Sequence, residues 1–99
     1  MFLIDADERM QEFFSEIADE LEKLGASRSE AVARVNYAWA GVEFSPYPDI
    51  ACHESPEHWA HAFYYEDRVP YWDEYADRSL WRVTPPPADP TVWTLPRTR

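Results

Sequence analysis

Between residues 7 and 24 the apolar positions return every three or four residues, at Met10, Phe13, Phe14, Ile17, Leu21 and Leu24. Side chains so spaced share one face of a 3.6-residue helix, so the pattern predicts an amphipathic helix with that stripe turned inward. Asp5 and Glu8 have the spacing of a capping pair, and Asp7 offers an alternative cap. Gly25 follows the last periodic leucine, where a left-handed residue would close the helix. A second stripe begins at once. Ser27 and Glu30 have capping-box spacing, Val32, Val35, Trp39 and Val42 mark the buried side with Ala31 and Ala38 beside them, and Gly41 stands near the end. A link as short as Gly25-Ala26 makes residues 1–43 an antiparallel helical hairpin, read as scaffold.

The pattern changes after that. Residues 43–55 carry Pro46 and Pro48 with little periodicity and read as a surface loop. Ser55-Pro56 is a cap followed by proline at the first helical position, so a short third helix is expected over residues 56–66. Pro70 interrupts. A fourth helical segment is expected over residues 71–81, with Trp72, Tyr75, Ala76 and Leu80 on one side. Asp73 and Glu74 in its first turn and Arg78 and Arg82 near its last suit the helix dipole. Thr84-Pro85-Pro86-Pro87 must be extended, and residues 84–99 form a proline-rich tail. Two β-rich pieces, residues 80–84 and 91–95, can pair as a small hairpin across it. The fold class expected is mainly α, in one small domain: hairpin, aromatic and acidic region over 44–83, then tail.

Composition sharpens the contrast between the two ends. All five tryptophans and six tyrosines lie between Tyr37 and Trp93. A chain of 99 residues buries only about two-thirds of the surface its unfolded form exposes. Rings with an apolar body and a polar tip favour binding surfaces. The net charge of −10 is spread along the chain, with 10 acids and 4 bases in residues 1–43 and 9 and 5 in the remainder. Such a surface repels phosphate backbones and anionic lipid, which argues against nucleic-acid and membrane partners and for a basic protein partner. Cys52 is the only cysteine, the N-terminal residues carry no basic segment or long apolar run, and no stretch reaches the ~20 apolar residues of a membrane span, so a reducing, cytoplasmic setting is expected.

One cluster has the residue types of a catalytic or metal centre. Cys52, His53, His58 and His61 fall within ten residues, and on a helix His58 and His61 share a face. Loop and helix ligands brought together could hold zinc tetrahedrally, although the Cys-x-x-Cys knuckle and the His-Glu-x-x-His of metallopeptidases are absent. His53 beside Glu54, or His61 near Glu57, has the make-up of an acid–base pair. The glycine content, Gly25 and Gly41 alone, rules out a glycine-rich phosphate loop.

The leading expectation is a protein-interaction module of inhibitor, immunity or accessory type, with no cofactor and no catalysis. Its anchors would be Trp59, Tyr65, Tyr71, Trp72 and Tyr75, with Asp73, Glu74 and Asp77 steering a basic partner surface. The alternatives are a small metal-dependent or acid–base enzyme centred on Cys52, His53, His58 and His61, and a homodimer joined through its aromatic surface.

Overall fold

A computed structural model describes residues 1–97 and is mainly helical. Helix α1 spans Glu8–Leu24, α2 spans Arg28–Ala38 and α3 spans Pro56–Tyr64. Short 3₁₀ turns cover Ile50–His53, Arg78–Leu80 and Pro90–Val92.

The local signals act at these boundaries. Asp7, rather than Asp5, caps α1, its carboxylate accepting from the Met10 N–H at 2.8 Å. The same side chain accepts from the Tyr47 N–H at 2.9 Å, so the cap also anchors the long loop. Gly25 closes α1 at φ 126°, and the Ala26 N–H returns to the Leu21 carbonyl at 3.1 Å. A side chain at Gly25 would also meet the Tyr64 hydroxyl, 3.1 Å from where a Cβ would sit. Ser27 then caps α2 through the Glu30 N–H, and Ser55 caps α3 through the His58 N–H.

Helix α1 lies between α2 and α3 and packs chiefly on α3. Met10, Phe14, Ile17 and Leu21 from α1 and Val32 and Val35 from α2 are fully buried. Trp39, just past the end of α2, is the hub. Its ring stands edge-on or tilted to Phe44, Phe63, Trp59 and Phe14 at centroid distances of 5.0, 5.1, 5.2 and 5.5 Å. Each is the edge-to-face spacing that aromatic quadrupoles prefer.

Helix α2 departs from a simple amphipathic pattern because structure surrounds it. Ser29, Arg34 and Asn36 are buried alongside its apolar residues, whereas Ala38 and Val42, expected inside, are exposed. The Arg34 guanidinium bonds the Glu30 carboxylate at 2.8 Å, the Phe63 carbonyl at 3.1 Å and the Thr84 carbonyl at 2.6 Å, and lies over the Tyr64 ring. Asn36 accepts from the Leu3 N–H at 2.8 Å and donates to the Val92 carbonyl at 2.9 Å. The Thr94 hydroxyl bonds the Met1 carbonyl. The tail is thus pinned along α2 by polar side chains and not by a sheet.

Two expected elements take other forms. Residues 71–81 are turns ending in a 3₁₀ segment and not an α-helix. Asp73 and Asp77 bond the N–H groups two residues ahead, of Tyr75 and Ser79, and these local turns compete with helical bonding. Trp72, Tyr75 and Leu80 face solvent, so no buried stripe pulls the segment helical. The hairpin between residues 80–84 and 91–95 does not form either. Val83 pairs instead with Tyr65 in an isolated antiparallel bridge, flanked by Glu66 N–H to Arg82 carbonyl at 2.9 Å and Thr84 N–H to Tyr64 carbonyl at 2.7 Å. Proline 90 starts a 3₁₀ turn that takes residues 90–92 out of strand geometry.

Replacing Arg34 with lysine keeps the charge but forfeits the planar fork, leaving buried carbonyls unpaired. It should lower unfolding free energy by about 2–3 kcal/mol. Trp39→Ala should lower it by about 3–5 kcal/mol. Urea titration followed by circular dichroism measures both.

Candidate functional site

The C-terminal turn of α3 and the strand-like bridge behind it hold up one side of a groove. The other side is the turn of residues 66–72. Val69, 6% exposed, plugs that turn into the body, and the Tyr71 N–H bonds the Val69 carbonyl at 2.9 Å. The space between is about 590 Å³, within the range of small-ligand clefts, and Glu54, His58, His61, Tyr65, Tyr71 and Trp72 are among its lining.

His61 forms the floor. Its ring stacks on Tyr71 at 4.5 Å between centroids and on Tyr65 at 6.0 Å, with Trp81 edge-on at 6.3 Å. Its Nδ1 lies 2.7 Å from the Glu57 carbonyl oxygen, one turn back on α3. A carbonyl can only accept, so Nδ1 carries a proton, and in the neutral ring the lone pair sits on Nε2. His58, three residues earlier, stands edge-on to Trp59 at 5.2 Å, with its Nδ1 3.5 Å from the Glu54 carboxylate. Burial pushes the Tyr65 phenol above its ordinary range, with neighbouring Tyr64 adding to the rise.

The residues of the zinc alternative are not brought together. Cys52 turns inward, its Sγ 3.7 Å from the Met10 sulfur, while His53 ends the Ile50–His53 turn facing solvent. His58 and His61 stay with α3. No three His, Cys, Asp or Glu side chains among the described residues are grouped as metal ligands. The physical reason is that Ala51 and Cys52 of this turn pack against the hydrophobic core, which directs the thiol inward and away from the α3 histidines. The acid–base pairs also differ from expectation. Glu54 faces His58 and not His53, and Glu57 meets His61 through its backbone and not its carboxylate.

The five expected anchors divide into two sets. Trp59 is half-buried, bonds the Ala51 carbonyl at 2.8 Å through its indole N–H and packs on Trp39, showing only an edge to the groove. Tyr65 and Tyr71 are half-buried around His61. Trp72 and Tyr75, in contrast, are 70% and 88% exposed, and Leu80 beside them is 75% exposed. Asp73, Glu74 and Asp77 are exposed in the same stretch. The Ser79 hydroxyl and N–H hold the Asp77 carboxyl below its ordinary range, so it remains charged well into mild acid. A second cleft, about 440 Å³, runs between α2 and Pro85-Pro86-Pro87 and is edged by Tyr37, 60% exposed. Sequence reasoning did not single out Tyr37, although its place on the outer side of the α2 stripe was a usable signal.

Comparison with protein-family models, with curated proteins and with solved structures finds no match for this chain. Among the described residues no helix is long and apolar enough to cross a membrane.

Burial drives the Cys52 thiol above its ordinary range, with the charge of Asp49 adding to the rise against a bond from the Asp49 backbone. The thiolate is the reactive form, so alkylation by iodoacetamide at neutral pH should run several-fold slower than for free cysteine and quicken only in more alkaline solution. Unfolding in urea should remove the difference; mass spectrometry of the alkylated chain follows it.

Proposed function

We propose that this chain is a small acidic interaction module that docks onto a basic surface of a partner protein in the cytosol, as an inhibitor, immunity-type or accessory protein. One observation carries the reading: Trp72, Tyr75 and Leu80 stand 70%, 88% and 75% exposed within one short run of the chain that also holds exposed Asp73, Glu74 and Asp77. A stable small protein has little reason to leave three large apolar side chains uncovered together. Clusters of this kind mark interaction sites. Tryptophan and tyrosine are the residues most often found as anchors, and they lose little conformational freedom on docking.

The electrostatics support a basic partner. The chain carries −10 overall, and exposed Asp73, Glu74 and Asp77 neighbour the exposed rings in sequence. Such a field speeds the approach of a positive surface and slows that of nucleic acid or anionic lipid. The segment is held by its own Asp73 and Asp77 turns and not by core packing, so its side chains can adjust to a partner while α1 and α2 stay rigid. The alternative occupant of the patch is a second copy of the chain, which meets the same acidic charge on both sides and is disfavoured by it.

Trp72→Ala and Tyr75→Ala baits, compared with the natural chain in affinity capture from native cytosol, test the reading. A specific, salt-sensitive partner should be retained by the natural chain and lost by more than tenfold from either variant. Melting temperatures should stay within a few degrees. Equal loss of binding and stability, or no retained protein, overturns it, and a doubled mass in light scattering assigns the patch to self-association.

A further inference from the structure

Four arginines of this chain lie over its own aromatic rings. Arg9 lies over Tyr47, Arg34 over Tyr64, Arg78 over Trp81 and Arg97 over Trp93, with guanidinium carbons 4.4, 4.9, 4.7 and 3.8 Å from the ring centres. Trp39 and Trp59 pack in the core, and Tyr65 and Tyr71 pack against His61. Tyr37, Trp72 and Tyr75 are the large rings with polar tips left exposed without a guanidinium over them among the described residues. Of these three, Trp72 alone stands on the lip of the groove over His61.

That groove has the chemistry to supply the missing cation. Glu54, Glu66 and Asp67 line it against one base, Arg68. Its floor is a built polar feature. His61 is only 7% exposed, its Nδ1 is occupied by the Glu57 carbonyl, and its Nε2 has no partner among the described residues yet is not sealed in. His61 is among the residues that line the groove. An acceptor nitrogen that is not sealed in, the indole of Trp72 and the lining carboxylates suit a planar donor-only cation.

We infer that the groove is the receptor for an arginine side chain of the partner. The inference rests on the docking reading above and names what the docking surface grips. A guanidinium has five N–H donors and no acceptor, stacks on indole and phenol faces, and can give N–H bonds to Nε2 and to a rim carboxylate at the same time. A lysine ammonium is a compact point charge and satisfies fewer of these contacts. An anionic side chain meets three carboxylates. The aromatic patch at Trp72 and Tyr75 then frames the residues flanking that arginine, with Trp72 shared between patch and groove.

The probe is N-acetyl-arginine methylamide, titrated into the full chain, with the lysine counterpart and the neutral, isosteric citrulline counterpart as controls. Isotope-labelled imidazole, indole and tyrosine-ring signals report the site. The arginine probe should produce saturable shifts at His61 and Trp72 with a dissociation constant of about 1–10 mM, the lysine probe weaker ones and the citrulline probe none. Trp72→Ala and Glu66→Gln, both at exposed positions, should each weaken the arginine probe about threefold without moving the melting temperature. Citrulline binding as well as arginine, shifts confined to Tyr37 or Tyr75 with His61 untouched, no saturation up to the solubility limit, or indifference to both substitutions overturns the inference. A silent probe together with a captured partner that still depends on Trp72 removes the arginine receptor and leaves the docking reading standing. Binding of the probe in the groove with no protein retained on the bait does the reverse.

Discussion

The guanidinium of Arg34 is the constraint on which the arrangement of the second half depends. A buried cation must have its donors met, because removing it from water costs several kcal/mol unless it is paired and hydrogen-bonded. Here the partners come from three places: Glu30 on its own helix, the Phe63 carbonyl near the end of α3, and the Thr84 carbonyl of the tail. Carbonyl 63 belongs to the last turn of α3, where helical bonding leaves acceptors unused. The charge therefore satisfies the helix end and is satisfied by it. With α3 and residue 84 held to α2, Tyr65 meets Val83, Tyr64 swings under Gly25, and the rear wall of the groove is set.

The helical body and the aromatic, acidic segment differ in how each is held. The α1–α2–α3 body is organised by burial, with Trp39, just past the end of α2, joining rings of α1, α3 and the loop. Residues 66–81 are organised by a single buried plug, Val69, and by aspartates that bond their own backbone. Carboxylates tied in this way, Asp7 and Asp49 through backbone N–H groups and Asp77 and Asp89 chiefly through hydroxyls, titrate below their ordinary range. Their folded-state values are depressed, so they favour the folded chain above the ordinary carboxylate range and lose that effect as pH falls through the lowered values. The acidic character on which the proposed docking relies is thus also part of how the loops keep their shape.

Much of the fold was legible from residues alone, and the misses have a common cause. The Met10–Leu24 periodicity, Gly25, Ser27 and Ser55-Pro56 placed the starts of three helices and the ends of α1 and α3 to within a residue or two, because caps and stripes are local, whereas α2 stops at Ala38, short of the expected Gly41. The expected helix over 71–81 failed because its spacing was right but its neighbours were missing: Trp72, Tyr75 and Leu80 found nothing to pack on. The stripe of α2 was drawn too narrowly for the opposite reason. Arg34 and Asn36 look like solvent-facing residues until a distant tail supplies carbonyls for them. Of the candidate site residues, Trp72, Tyr75, Asp73, Glu74 and Asp77 stand in the open. His61 and Tyr71 meet across the groove, and Cys52 and His53 lie elsewhere.

By itself the amino-acid order determined the starts of three helices, the excess of aromatic rings in the second half and the sign of the surface, since these follow from spacing, side-chain chemistry and charge within a few residues. Only the tertiary structure decided which rings are covered and which are bare, and that Val83 pairs with Tyr65. Those outcomes depend on bonds spanning from 18 residues (Tyr65 to Val83) to 50 (Arg34 to Thr84). A side chain's exposure depends on what the rest of the chain brings to it, and local pattern carries no record of that.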